Sequence, residues 1–449
     1  MPLVIDLNDA DIGISDGQGH RARMPGFALL SNNAVEVTGE RAERSARLHP
    51  RRIQMDYWYR LDTQTVPNFA PLTRADVAAS QLRELLEPFS ADTRHGAIVV
   101  PPYMSRETLG LLQGLCQAVD FRLIALVDAA TAATRQHYVD AVPLHVEFGL
   151  HCVWVAKMRQ TANSSALEDV QILEGSGLLA LHDAWMRWFA AEFVRQSRFD
   201  PLHSAPSEQA LFDALPNWLA GLEGAESQTL SLTVDGGTYA IEVEMVDVVN
   251  VVFEHYQRLA DLARAMLASG ESPVFQMRDR TTMLPGLAEL LVTRVGGIFV
   301  AQEDDSMLTG VLSRLSAIGE NPSRIVRELP VQGEVVGVVN DDAPAHGVPT
   351  HILLGDRAYP LSADAVIVGG GGAPGLARYL AIESGLAGVS SIHCEVSVEG
   401  GQCLLIDRSR YGTFLNGSRI SGSATLRAGD TVRVGTPGQE LHLIREEAL

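Results

Sequence analysis

The chain has 449 residues, of which 46% are hydrophobic and 20% are charged, so it can bury a large core in about two or three domains. Its 35 basic and 55 acidic residues give a formal net charge of −20. This balance argues against nucleic acid or an anionic membrane as the main partner, because both require a concentrated basic face. The only lysine, Lys157, follows no glycine run, which excludes a Walker-type phosphate loop.

Two features bear on the compartment. The N-terminus carries aspartates where a signal peptide needs basic and then apolar residues, and no run reaches the ~18 apolar residues of a membrane span. The cysteines show no Cys-x-x-Cys spacing, which favours reduced and buried thiols. We therefore expect a cytoplasmic protein without a membrane span. The four cysteines are Cys116, Cys152, Cys394 and Cys403.

In chain order, the first 320 residues alternate between strand and helix patterns, which predicts an α/β fold. Residues 3–5 form a short apolar strand that ends at Asp6. Buried strands at 97–100 and 121–127 flank a helix capped by Ser105. Later elements are a long helix with an aromatic stripe at 178–193, a helix opened by Ser207 and interrupted by Pro216, a hairpin at 230–243, a helix at 246–267 and a strand at 273–277.

Residues 145–154 are predicted to form a hairpin with a tight bend at Gly149. A hairpin that grips phosphate needs glycines, so that backbone N–H groups can close on the oxygens, and a carboxylate on each side for Mg²⁺ and water. Here one glycine and one carboxylate, Glu147, remain. The shape is therefore typical of a nucleotide-binding protein, whereas the chemistry is largely missing.

Five stretches, taken in order, resemble the nucleotide-binding domain of the Hsp70 chaperones, within the actin-like ATPase superfamily. They cover residues 97–104, 127–134, 147–154, 179–201 and 281–291. The resemblance implies a two-lobed actin-like (RNase H-like) α/β domain over residues 1–320. It also implies a nucleotide site with vestigial positions at Asp6, Glu147, Gly149 and Thr282.

The departures from that family remove most of the catalytic parts. Trp154 stands for the second-loop aspartate, Ala129 for a glutamate, and Asp279 and Arg280 for glycines that approach the adenosine. No lysine matches the catalytic one, and the arginines considered in its place, Arg52 and Arg60, are poor substitutes for a positioned ammonium. The resemblance with these departures predicts a pseudo-ATPase with no cofactor. Weak binding of Mg-ATP is the alternative, because an anion can still meet helix N-termini.

Residues 321–350 are interpreted as a linker, with some strand character from Val331 onward. From residue 351 onward short strands and frequent turns predict an all-β sandwich. Three motifs there, Ser390-Ser-Ile-His393, Asp407-Arg-Ser-Arg-Tyr-Gly-Thr-Phe with Asn416-Gly417, and Leu426-Arg-Ala-Gly-Asp430, resemble the forkhead-associated (FHA) domain. That family binds phosphothreonine on partner proteins, and charge-assisted bonds explain its conserved use of an arginine. The resemblance implies a phosphopeptide site at Ser390, Ser391, Ser409, Arg410 and Tyr411, with His393 bracing the loop.

Two positions depart from the FHA pattern. Gly370 stands where the family has its arginine, and Tyr411 stands where it has an asparagine. A phosphate pocket without its arginine loses its strongest contact. Arg378, Arg408 or Arg410 could supply the missing positive charge.

The sequence as a whole therefore predicts a cytoplasmic scaffold or adaptor in bacterial signalling or assembly. It would bind a protein partner, with or without phosphothreonine, through the FHA domain at 351–449. The alternative is a nucleotide-binding Hsp70-like ATPase or chaperone that carries a phosphothreonine-binding module.

Overall fold

The computed structural model describes residues 2–19, 21–32, 34–222, 227–335, 348–355, 357–370, 378–382, 389–399, 402–409, 413–415, 418–420, 422–434 and 439–445. The chain divides into two compact units, Met1–Val338 and Val339–Leu449. Among the described residues, no helix is both long enough and apolar enough to cross a membrane.

The first unit interleaves strands with helices. Its strands are β1 Leu3–Asp6, β2 Ile12–Ser15, β3 Arg21–Met24, β4 Ala28–Leu30, β5 Val35–Thr38, β6 Ile53–Gln54, β7 His95–Val100, β8 Arg122–Asp128, β9 Gln136–Tyr138, β10 Val142–Phe148, β11 Cys152–Gln160, β12 Ser164–Glu174, β13 Ser227–Val234, β14 Gly237–Glu244, β15 Pro273–Arg278, β16 Ile298–Gln302, β17 Asn321–Val326, β18 Glu328–Pro330 and β19 Gly333–Val335. Its helices are α1 Glu40–Glu43, α2 Arg74–Leu86, α3 Arg106–Ala118, α4 Ala129–Ala133, α5 Leu178–Ser197, α6 Ala205–Leu222, α7 Met245–Ala265, α8 Asp279–Thr282, α9 Leu287–Val295, α10 Ser306–Leu312 and α11 Leu315–Ile318.

Two six-stranded sheets organise this unit. The first sheet has the order β3-β2-β1-β7-β8-β17, and the second has the order β18-β12-β11-β10-β15-β16. In each sheet three consecutive antiparallel strands are followed by two strands parallel to the first of the three. The pattern β3-β2-β1-β7-β8 is thus repeated as β12-β11-β10-β15-β16, so β1 and β10 occupy equivalent places.

A shared apolar core joins the two sheets. Val4 and Val99 of the first sheet and Trp154 and Met158 of the second belong to one buried cluster, together with the alanines of α4 and side chains of α10. Ala130 and Ala132 of α4 are completely buried. Because their side chains are small, the two sheets can approach each other closely. This packing places the carboxyl ends of β1 and β10 on either side of one narrow cleft.

Part of the segment interpreted as a linker, residues 321–335, belongs to the sheets of the first unit. These residues form β17, β18 and β19, which pair with β8, β12 and β9 of the first unit. Edge strands leave backbone groups unpaired, so a segment with modest strand propensity can add to them. Sequence pattern alone does not reveal such pairing.

Helix α5 fixes the turn between β10 and β11. The backbone N–H groups of Leu178 and Leu179 donate to the carbonyl oxygens of Gly149 and Leu150 at 2.9 and 3.0 Å. One turn further along, His182 lies between the rings of Trp185 and Phe212, with centroid separations of 6.4 and 6.1 Å. The first backbone N–H groups of α5, which have no partner within the helix, therefore bind carbonyl oxygens of the same chain.

The second unit contains two antiparallel-rich sheets around one core. Its strands are β20 His351–Leu354, β21 Arg357–Pro360, β22 Val366–Gly370, β23 Tyr379–Ile382, β24 Cys394–Glu399, β25 Gln402–Asp407, β26 Thr413–Leu415, β27 Ser418–Arg419, β28 Ser423–Leu426, β29 Thr431–Val434 and β30 Gln439–Ile444. The sheet orders are β21-β20-β30-β29-β26-β27 and β23-β22-β24-β25-β28. Residues from both sheets, such as Ile352, Val396 and Leu443, share a buried cluster, so the unit is a β-sandwich.

The surroundings of His182 predict a pH-dependent stability. Burial lowers the pKa of His182 to about 4, whereas an unfolded histidine titrates near 6.5. Between these values the unfolded state binds more protons, so stability falls as pH falls from 6.5. We expect the free energy of unfolding to drop by up to about 2 kcal/mol more in the wild type than in His182→Gln between pH 7.5 and 5.0.

Urea titrations monitored by tryptophan fluorescence measure this difference in the first unit alone, because all five tryptophans lie before residue 339. His203→Gln, at an exposed histidine, is the control and should keep the wild-type pH dependence. Equal pH dependence in the wild type and His182→Gln would refute the prediction.

Candidate functional site

The carboxyl ends of three strands meet in the cleft of the first unit. Asp6 is the last residue of β1, Glu147 lies one residue before the end of β10, and Arg278 is the last residue of β15. Because β10 and β15 are parallel neighbours, their carboxyl ends lie at the same edge of the second sheet. The sheet packing brings the end of β1 to the same place.

Arg278 is fully buried and bridges the two carboxylates. Its Nε donates to Oε2 of Glu147 at 2.7 Å, and its Nη1 donates to Oδ2 of Asp6 at 2.7 Å. Nη1 also lies 3.3 Å from the carbonyl oxygen of Asp304. A buried guanidinium needs a matched charge and partners for its donors. Here the two carboxylates match the charge and accept from Nε and Nη1, whereas Nη2 has no hydrogen-bond partner among the described residues.

A second layer of polar groups surrounds this bridge. Arg280 lies 3.0 Å from Oε1 of Glu147 through Nη2 and 2.7 Å from Oδ2 of Asp11 through Nη1. The side-chain amide of Asn8 donates to Oε1 of Glu147 at 2.9 Å and to the carbonyl oxygen of Phe148 at 3.0 Å. Glu147 therefore accepts from three side chains and is the centre of the network.

The pKa values of the two carboxylates, Glu147 and Asp6, are shifted in opposite directions. Burial alone would raise the pKa of Glu147, but Arg278 and Arg280 hold this pKa well below its usual range. Burial raises the pKa of Asp6, and the nearby Arg278 only partly opposes that effect. On acidification Asp6 is therefore protonated first. The stabilisation that Glu147 contributes is present above its unfolded pKa and is lost only as pH falls below it.

The glycine turn after β10 binds a carboxylate of the same chain. Oδ1 of Asp9 accepts a hydrogen bond from the backbone N–H of Leu150 at 2.8 Å. A Cβ atom at Gly149 would lie 2.5 Å from this oxygen, so a larger residue there would have to displace the Asp9 carboxylate. Burial raises the pKa of Asp9, and the bond from Leu150 opposes the shift. The position where the turn could hold an external anion is thus occupied by Asp9.

Little space remains between these groups. A cavity of about 10 Å³ is bordered by Asp6, Glu147 and Gly149 together with Tyr103 and Trp154, which is room for about one water molecule. The structure thus brings together three of the four positions predicted for nucleotide contact. The fourth, Thr282, ends α8, and its side chain lies outside the described part of the chain.

The two arginines considered as replacements for a catalytic lysine lie elsewhere. Arg52 pairs with Glu36 at 2.5 Å, and Arg60 lies 3.9 Å from Asp56; all four side chains are at least partly exposed. This is a correction to the sequence interpretation, because the cleft is reached by Arg280 and, at its centre, by the buried Arg278. Its place at the end of a buried strand was the available signal, since a charged residue there must find a buried partner.

In the second unit, His393 connects the loops that the sequence analysis selected. The backbone N–H of Ser390 donates to Nδ1 of the buried His393 at 3.1 Å, and the N–H of Arg408 donates to its carbonyl oxygen at 2.9 Å. Beside it, a Cβ atom at Gly369 would lie 2.1 Å from the carbonyl oxygen of Ser391. The loop from Ser390 to Ile392 is thereby held against the end of β22, with Ser391 and Ile392 exposed.

Asp407 organises the neighbouring turn. Its Oδ1 accepts hydrogen bonds from the N–H of Ser409 at 2.9 Å and from the hydroxyl of Thr413 at 2.8 Å. Burial alone would raise the pKa of Asp407, but these bonds lower it below its usual value. Asp407 had no predicted role, although an aspartate two residues before a serine is a frequent turn pattern.

Two of the arginines considered for the phosphate are engaged away from the loops. The guanidinium of Arg378 donates to the hydroxyl of Ser362 and to the carbonyl oxygens of Pro360 and Asp364. Arg408 lies 3.4 Å from Glu395. Arg410 and Tyr411, both predicted to contact phosphopeptide, lie outside the described residues.

Comparison with known protein families supports the prediction of an FHA domain in the second unit. The model of the FHA domain matches residues 380–435. The second unit therefore contains an FHA domain, a module for interaction with phosphoproteins. No curated protein matches the chain.

Removal of Arg278 should destabilise the first unit strongly. Arg278→Met leaves Asp6 and Glu147 buried without their shared cation, so we expect a loss of about 3–5 kcal/mol in the free energy of unfolding. The measurement is urea unfolding at pH 7.5, monitored by tryptophan fluorescence.

Arg195→Met is the matched control, because Arg195 forms an exposed pair with Glu192 and such pairs contribute about 0–1 kcal/mol. Adding Asp6→Asn and Glu147→Gln to Arg278→Met should recover part of the loss. A loss below about 1 kcal/mol for Arg278→Met would show that the bridge does not stabilise the unit.

Proposed function

We propose that this protein is a non-catalytic scaffold or adaptor of Hsp70-like architecture that binds protein partners through its FHA domain. We place it in the cytoplasm, in bacterial signalling or assembly. The four cysteines are free and buried, in keeping with a reducing compartment. The observation that carries the proposal is the guanidinium of Arg278 between the two buried carboxylates, Asp6 and Glu147.

The Hsp70-like part of the proposal is supported by the repeated sheet pattern. The actin-like resemblance implies two lobes, and the first unit contains the same five-strand order twice. The equivalent strands β1 and β10 both carry a carboxylate near the carboxyl end, at Asp6 and Glu147. A nucleotide site between two lobes would use these positions for Mg²⁺ and water.

The contents of the cleft support the loss of catalysis. Mg²⁺ requires an octahedral set of oxygen ligands and usually keeps several waters, whereas the carboxylates here are neutralised by Arg278 at 2.7 Å. The phosphate position of the glycine turn is taken by Asp9. Binding Mg-ATP would have to displace Arg278 and separate Asp9 from Leu150, and both changes would leave buried charges unpaired. The proposed function therefore requires no cofactor.

The binding part of the proposal rests on the FHA domain at 380–435. His393 and Asp407 hold Ser390 and Ser409 in fixed turns, so the two loops form a preorganised surface. Exposed Ser391 and Ile392 give this surface both a hydroxyl and an apolar side chain. Gly370 ends β22, where the FHA pattern has an arginine, so this position cannot supply the charge-assisted contact typical of phosphate recognition.

Substitution of the loop serines should weaken partner capture. We expect a Ser390→Ala and Ser409→Ala double variant of the full chain to lose at least about fivefold of its captured partner, because each change removes a hydroxyl from the surface. Capture from native lysate with quantitative mass spectrometry measures this loss. Ser423→Ala, at an exposed serine of β28, is the control.

Phosphatase treatment of the lysate separates two modes of binding. If phosphatase treatment removes the captured partner, the surface binds a phosphorylated ligand. If the partner is still captured, the surface binds an unmodified protein. A Gly370→Arg variant should then bind a phosphothreonine peptide about tenfold more tightly, since an arginine adds a charge-assisted contact. Capture that is insensitive to the double serine variant would refute the role of the FHA domain.

Calorimetric titration with Mg-ATP tests the first unit directly. We expect no binding with a dissociation constant below about 1 mM and no release of phosphate, because Arg278 and Asp9 occupy the cation and anion positions. Micromolar binding would overturn the proposal in favour of the nucleotide-binding ATPase or chaperone. Asp6→Ala and Glu147→Ala would then show whether the bound nucleotide uses the cleft.

A further inference from the structure

A groove on the first unit concentrates positive charge. It has a volume of about 800 Å³ and is lined by residues from the start of α3, the end of β11, β17 and the segment joining β17 to β18. Four arginines and a single carboxylate, Glu328, border it; the arginines are Arg106, Arg159, Arg324 and Arg327. The chain as a whole has a net charge of −20, so the groove is opposite in sign to the average charge of the protein.

Some arginines of the first unit pair with a carboxylate, and others do not. Arg47, Arg52 and Arg195 pair with nearby carboxylates. Among the described residues, no carboxylate lies within ion-pair distance of the four groove arginines, all of which are exposed. The one carboxylate of the groove, Glu328, accepts a hydrogen bond from the hydroxyl of Ser164 at 2.7 Å. The guanidinium groups are thus available to an external anion.

The floor of the groove is aliphatic. Leu109 and Leu126 are buried and Leu167 and Ile325 are partly buried, and all four line the groove. A ligand that fills it must therefore offer apolar groups to the floor and negative charges to the rim. The side-chain amide of Gln113, which donates to the carbonyl oxygen of Pro322 at 2.6 Å, ties α3 to the start of β17 and keeps the groove open.

These features favour a peptide over a nucleotide. The described residues that line the groove include no aromatic ring, so a base would have nothing on which to stack. A long polyanion would extend beyond the groove onto a surface whose overall charge is strongly negative, where it is repelled. A short acidic segment supplies carboxylates and aliphatic side chains together and ends before that repulsion begins.

We propose that this groove binds a short acidic peptide segment of a partner protein. Its carboxylates pair with the guanidinium groups of the four arginines, and its aliphatic side chains contact Leu109 and Leu167. Arginine suits this task because its planar donors bind carboxylates in a bidentate manner. The site lies wholly within the first unit and is independent of the FHA surface and of the proposed function.

The test is selection from a random library of unphosphorylated ten-residue peptides on the full-length chain, followed by fluorescence anisotropy with the most enriched peptide. We expect enrichment of aspartate or glutamate together with leucine, isoleucine or valine. An Arg159→Glu and Arg324→Glu double variant should bind the enriched peptide at least tenfold more weakly. Affinity should fall with added salt, since the charges are exposed.

Two controls separate the groove from other surfaces. Arg187→Glu reverses an exposed arginine of α5 that does not border the groove and should bind as the wild type does. The Ser390→Ala and Ser409→Ala double variant should also retain peptide binding, so failure at the FHA surface is distinguished from failure here.

Circular dichroism and the unfolding midpoint should be unchanged in the arginine variants, because these side chains form no ion pair with described residues. The proposal is refuted by enrichment without acidic residues, or by equal peptide affinity in the wild type and the arginine variant. A third outcome also refutes it: no peptide is enriched, and fluorescent ATP binds the wild type but not the arginine variant. The groove would then be a nucleotide site.

Discussion

The buried charge of Arg278 constrains the whole first unit. A guanidinium without solvent must be matched by carboxylates at hydrogen-bond distance, and here these come from Asp6 in one sheet and Glu147 in the other. Each partner therefore requires the other two to remain in place. The sheets must stay closed over a cavity of about 10 Å³, and Arg280 and Asn8 complete the network around Glu147. A cleft of this kind contributes to the stability of the fold and leaves no space for a substrate.

The same reasoning accounts for the distribution of binding surfaces. The glycine turn that could hold an anion binds Asp9 of the same chain, and the start of α5 donates to the backbone of that turn. The groups free to meet a partner are instead exposed: the loops around Ser391 in the FHA domain and the arginines around the groove. This arrangement suits the proposed scaffold, whose partners would bind on the surface while the interior remains rigid.

Several local features were predictable from sequence. The hairpin at 145–154 forms with Glu147 opposite Trp154, and Cys403 lies opposite Val398 rather than Cys394. Both follow from the side-chain period of two and from the position of the glycines. Helix α6 was less predictable, because it starts at Ala205 and continues through Pro216. Buried Leu215, Trp218 and Leu222 around the proline hold the helix together where local propensity would end it.

The sequence by itself determined the alternation of strands and helices in the first unit and the FHA motifs of the second, because these depend on residue type and on spacing along the chain. Only the tertiary structure decided which charges meet. Arg278 is 131 residues from Glu147 and 272 from Asp6, and the groove arginines come from separate segments of the chain. Coulomb interactions depend on distance in space, so neither the closed cleft nor the basic groove could be deduced before the two sheets were packed together.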